Sequence, residues 1–142
     1  MNGNAELLNF IYQNSQMGVD TIEQLIDISE DKELKNYLST QLSGYRDIHS
    51  KARKMLNDNG FDEKGISSFD KIKTYMMINF QTLNDRSSSH IAEMLIVGGT
   101  MGIVDAIKNT RKYSNAEHDI LNLMEELKQF EENNSKKLRS FL

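Results

Sequence analysis

The side chains able to do chemistry in this 142-residue chain are few, and their spacing narrows what they could do. His90 and Glu93 stand three apart, which puts an imidazole and a carboxylate on one helix face, a spacing that can seat a metal ion. His49 and His118 fall on other predicted helices, so no two imidazoles share a face at ligand spacing. The ordinary reading is that His90 and His118 occupy exposed first turns and His49 flanks a core stripe beside Ile48, each satisfied by water or backbone. Cysteine is absent, which excludes a cysteine nucleophile, thiolate zinc, iron-sulfur clusters and disulfides. No serine-histidine-acid set, phosphate-binding glycine loop or zinc-protease pattern occurs, so no residue is assigned as catalytic. What remains is a polar interruption of otherwise apolar stripes: Gln41 and Tyr45 on one, Glu131 and Asn134 on another.

The elements that must position these residues are helices. The chain has no proline, is rich in leucine, glutamate, lysine, glutamine and methionine, and nowhere sustains strand-like alternation. A first helix is expected from about Asn4 to Ser29, with Leu8, Ile11, Ser15, Gly18, Ile22 and Leu25 on its inward stripe. A second runs from near Asp31 to Asn57 through Leu34, Leu38, Gln41, Tyr45, Ile48, Ala52 and Met55, and stops at the turn sequence Asn57-Asp58-Asn59-Gly60. After a polar connector at 61–67, Phe69, Ile72, Met76, Phe80 and Leu83 mark a shorter helix, which the serine run at 87–89 ends. The third long helix carries Ile91, Met94, Leu95, Gly98, Met101, Gly102 and Ile107 to about Tyr113. Ser114 with Glu117 forms a capping-box pattern, so the fourth is expected to begin there and to reach the C-terminal residues through Ile120, Met124, Leu127, Glu131, Asn134 and Leu138. The expectation is one all-α domain over residues 1–142: an antiparallel four-helix bundle whose long second link holds an additional short helix.

Glycine in a helix interior costs about 1 kcal/mol relative to alanine, so Gly18, Gly44, Gly98, Gly99 and Gly102 need compensation. Close approach between helices is the ordinary compensation, and the separation of Gly98 and Gly102 suits it. The other reading is a mid-bundle cavity floored by glycine and lined by Gln41, Tyr45, Glu131 and Asn134, holding ordered water or a small polar ligand. Met76, Met94, Met101 and Met124 fall on core stripes. Met77, Ile78 and Tyr75 lie off the stripe of the short helix, an apolar second face from which a homodimer is expected.

Seventeen basic against twenty-one acidic residues give a formal charge of -4, the wrong sign for phosphate neutralisation, so nucleic acid is not an expected partner. The basic groups Lys51, Arg53, Lys54 and Lys136, Lys137, Arg139 are read as cations closing the second and fourth helices against the negative dipole end. No basic region precedes an apolar run at the start, and no run approaches about 18 uninterrupted apolar residues. A cytoplasmic protein without membrane contact is the resulting expectation.

With four long helices, one long link and this patterning, the chain resembles the ferritin-like superfamily, and in particular small bacterial members with an extra helical segment before the third long helix. The resemblance implies a position for a di-metal centre: a glutamate on each of two helices and a Glu-x-x-His pair on each of the others, all facing inward. On the fourth helix Glu131-Glu132-Asn133-Asn134 gives Glu-x-x-Asn where that pattern has Glu-x-x-His. On the second, Gln41-Leu42-Ser43-Gly44 replaces the carboxylate by an amide and the histidine by glycine. The first and third offer Ser15 and Gly18, and Gly98 and Gly102, with no carboxylate. The resemblance thus implies a relative without the metal ligands and without a cofactor, serving structure or self-association. The alternative is a residual metal or redox protein using Glu131, Glu93, Glu23 or Asp105.

Overall fold

A computed structural model describes residues 2–63, 70–81 and 83–142. The described residues form five α-helices: α1 Asn4–Ile28, α2 Lys32–Asp58, α3 Asp70–Gln81, α4 Ser88–Lys112 and α5 His118–Leu138, with a closing 3-10 turn at Arg139–Phe141. No described residue lies in a strand.

The ends follow from local chemistry. Asp31 caps α2, its carboxylate accepting the backbone N–H groups of Glu33 and Leu34, and its second oxygen takes the Ser88 hydroxyl at 2.6 Å. The starts of α2 and α4 are thereby fastened together. α2 closes at Gly60, whose φ of 69° is reached most easily without a Cβ. α4 starts at Ser88, because Ser87 accepts the His90 N–H as N-cap.

The fourth long helix corrects the expectation. Ser114 is not its cap: Tyr113 to Asn115 form a turn closed by the Ala116 N–H on the Tyr113 carbonyl, and the helix begins at His118 behind Glu117. The Glu117 N–H is held by Asn4 Oδ1 at 2.9 Å, a cap borrowed from the start of α1 that sequence spacing within α5 cannot reveal.

α1 packs along α2 and α4 along α5; α5 also lies against α1 and α2, α4 touches α1, and α3 lies on α4. The core between them is mostly leucine and isoleucine, with alanine and methionine among them, and includes the fully buried Leu7, Leu8, Ile11, Leu25, Leu34, Leu38, Leu56 and Ile91. Leu56 replaces the expected Met55 as the deeply buried residue at the end of α2, and Met55 is only half-buried. By composition and length α4 could cross a bilayer, yet Ile91, Ala92, Met94, Leu95 and Ala106 on it are buried against the other helices.

Of the short helix, Phe69 lies outside the described residues, as do the side chains of Ile72 and Ile78. Met76 is buried; Tyr75 packs against the core instead of facing out with the exposed Met77. The basic groups separate. Lys136 and Lys137 do occupy the last turn of α5. α2 runs on to Asp58, so its last turn holds no cation. Lys51 instead bridges Asp47 and Glu126, Arg53 reaches Glu63, and Lys54 pairs with Asp58.

Candidate functional site

Half-way along the helices the apolar core gives way to a polar layer. α1 supplies Asn14, α2 supplies Tyr37, Gln41 and Tyr45 at successive spacings of four, and α5 supplies Glu131 and Asn134 three apart, so each set shares one helix face. α4 contributes no polar side chain here, only Leu95 and the glycines Gly98, Gly99 and Gly102. All of these except Tyr37, with Gly18 of α1 and Met76 of α3, line a cavity of about 50 Å3.

Glu131 is the centre of the layer and is 4% exposed. Its two oxygens are each engaged: Asn14 Nδ2 donates to Oε1 at 2.9 Å and the Tyr45 hydroxyl to Oε2 at 2.9 Å. Both donors are neutral, and among the described residues no lysine, arginine or histidine lines the cavity. Loss of water therefore dominates and pushes the Glu131 carboxyl up to about 7, while the bonds from Tyr45 and Asn14 favour the ionised form and oppose it. At neutral pH this carboxyl is poised between its charged and neutral states. Tyr45 responds in the same direction: burial, then the adjacent Glu131 charge and its hydrogen bond, drive the phenol well above its ordinary value, and a bond with Gln41 counteracts part of that. Tyr37 donates to Asn134 Oδ1 at 2.7 Å, and burial pushes its phenol up to about 12.

Two atoms of the layer have no hydrogen-bond partner among the described residues: Gln41 Oε1 and Asn134 Nδ2. Both belong to side chains more than nine-tenths buried. One is an acceptor and the other a donor, and leaving such atoms unsatisfied costs about 1 to 3 kcal/mol each.

The glycines divide by what faces them. A Cβ on Gly18 would come within 2.7 Å of the Tyr45 ring, and one on Gly44 within 2.2 Å of Phe130, which meets Tyr45 edge-on at 4.8 Å between centroids. On Gly98 it would meet only Met76 Sδ at 2.7 Å, the tip of a flexible side chain. Gly102 faces the polar layer itself, with Asn14 Nδ2 and both Glu131 oxygens at 3.4 Å from a Cβ placed there. Close approach and cavity thus coexist: Gly18, Gly98 and Gly102 border the cavity, whereas Gly44 lies behind it under Phe130.

No family model, no curated protein and no solved structure matches this chain.

The remaining candidates stay apart. Glu23 is exposed and ion-paired with Arg46; Glu93 is exposed, 3.9 Å from His90; Asp105 is half-buried on α4. Among the described residues no three histidine, aspartate or glutamate side chains group as metal ligands. His118 is exposed, as a first-turn residue should be. His49 stacks on Tyr12 at 4.4 Å, its Nε2 is buried without a protein partner, and burial holds its pKa below the usual value. Asn14 and Tyr37 were not singled out from the sequence. The signal was present: Asn14 is three beyond Ile11 and four before Gly18, and Tyr37 is four before Gln41.

Proposed function

We propose that this chain is a ferritin-like bundle whose interior has exchanged a di-metal centre for a neutral hydrogen-bonded layer, and that it acts by interaction and self-association, not by catalysis. The helix order supports the ferritin-like part. The start of α1 meets the start of α5 through Asn4 and Glu117, and the start of α2 meets that of α4 through Asp31 and Ser88. With short links after α1 and α4, this corresponds to an up-down-down-up course in which the long link holding α3 joins two helices of the same direction.

The observation that carries the reading is the charge at the centre. Glu131 is the one carboxylate among the described residues lining the layer, and amide, phenol and glycine stand where further carboxylates and imidazoles would have to be. Two buried divalent cations need several anionic ligands to offset their lost hydration, and one glutamate cannot supply that. Self-association is supported by the outer side of α4, where Val97 and Val104, two turns apart, are 39% and 44% exposed, with Met77 of the adjoining α3 at 47%. The test of the interior is elemental analysis of the purified protein after loading with iron(II) or manganese(II) and removal of free ions. Far less than one ion per chain is expected; two per chain would overturn the reading.

A further inference from the structure

We infer that the mid-bundle cavity is a binding site for a small primary amine, whose ammonium group sits between the Glu131 carboxylate and Gln41 Oε1 while an acceptor atom on the ligand takes the Asn134 N–H. Three observations converge on this chemistry. First, the two atoms of the layer without a protein partner are an acceptor and a donor on side chains more than nine-tenths buried, both lining the same cavity. A ligand that satisfies both must itself present a donor and an acceptor.

Second, the sign of the site is set. Glu131 is buried with two neutral donors and, among the described residues, no facing cation. An anion entering the cavity would meet the carboxylate without compensation, whereas a monovalent ammonium group neutralises it and adds up to three N–H donors for Glu131 and Gln41. A divalent ion would remain in excess of the single negative charge.

Third, size and walls select a short molecule. About 50 Å3 is room for roughly three to five water-sized groups. The space exists because α4 presents glycine instead of side chains at positions 98, 99 and 102, and the rest of the wall is mostly apolar, from Met17, Ile22, Met76, Leu95 and Leu138 with the hydroxyls of Thr21 and Ser135 among them, suited to a few methylenes between the ligand's two polar ends.

The affinity should rise with pH as Glu131 ionises. Among the described residues the titratable group facing it is Tyr45 of α2, displaced far to the alkaline side; α1 faces it with Asn14 and α4 with Gly102, which do not titrate.

Ethanolamine is the probe, with the full chain labelled at the methionine methyls and observed by NMR. Saturable one-to-one shifts of the Met17 and Met76 methyls are expected, at least about tenfold tighter at pH 8 than at pH 5.5. Ethylamine, lacking the acceptor, should bind more weakly, and acetamide, lacking the charge, should be weaker still. Glu131→Gln, which preserves size, should weaken ethanolamine at least tenfold. If that variant does not fold, the pH comparison on the unaltered chain tests the same charge. Absence of saturable shifts, pH-independent binding, or acetamide binding as well as ethanolamine would each overturn the assignment.

Discussion

Replacing Glu131 by glutamine should make this protein more stable at neutral and alkaline pH, although it deletes the only buried charge among the described residues. Burial lifts the carboxyl from its ordinary value of 4.5 to about 7 in the folded chain. Between those values the folded state keeps a proton that the unfolded chain has released. Stability is therefore free of the penalty below pH 4.5, falls as pH rises through that window, and levels off above 7. A displacement of about 2.5 units corresponds to about 3 kcal/mol at 1.36 kcal/mol per unit. Glutamine has the same shape and does not titrate. Its Oε1 can accept the Tyr45 hydroxyl, and its amide can donate to Asn14 once that side chain turns its carbonyl inward, so the two bonds at 2.9 Å survive in altered polarity. Weaker neutral bonds return about 1 kcal/mol of the gain. The assay is urea unfolding of both proteins at pH 5, 6, 7 and 8. Contributions from Asp31, Asp85 and Glu125, held below the usual carboxylate range by hydrogen bonds, and from His49 are common to both and drop out of the difference. The variant should gain about 2 kcal/mol on the parent between pH 5 and 8. Parallel stability curves would refute the assignment of a desolvated, poised carboxyl to position 131.

Two further expectations concern glycine and the outer face of α4. Gly44→Ala should cost about 1 to 3 kcal/mol in thermal or urea unfolding, because the new methyl collides with the Phe130 ring, while Gly99→Ala should stabilise by up to about 1 kcal/mol, since its nearest contact is Ser135 Oγ at 3.5 Å. Equal effects at the two positions would show that the approach at Gly44 is not tight. Sedimentation across the micromolar range should reveal a dimer that Val97→Glu with Val104→Glu converts to monomer; a parent chain that is monomeric throughout would remove the self-association.

Helix positions were legible because nothing competes with them: no proline interrupts the apolar periodicity, and Asp31 and Gly60 stand where cap and stop chemistry requires. The start of α5 was misread for the opposite reason. Ser114 and Glu117 match a capping box locally, but the cap comes from Asn4, 113 residues away, and a one-dimensional pattern cannot show it. Gln41, Tyr45, Glu131 and Asn134 could be placed inside the bundle from stripe position alone, and the structure puts all four on one cavity. Asn14 escaped because the α1 stripe was drawn one residue wide through Ser15, and at that level it widens to include both Asn14 and Ser15, each almost wholly buried. The poise of Glu131 was beyond reach: it depends on its burial and on which donors arrive from α1 and α2.

Three bonds of the polar layer join segments far apart in the chain, Tyr45 to Glu131 over 86 residues, Tyr37 to Asn134 over 97 and Asn14 to Glu131 over 117. The apolar seams are sequence-neighbours by comparison, α1 with α2 and α4 with α5, and such hairpins can zip quickly from local contacts. Leucine on leucine tolerates a slip of one turn between the two hairpins; a carboxylate that loses both donors does not. The hydrogen-bonded layer therefore works as a vernier, selecting one alignment among several that would bury nearly equal amounts of hydrocarbon.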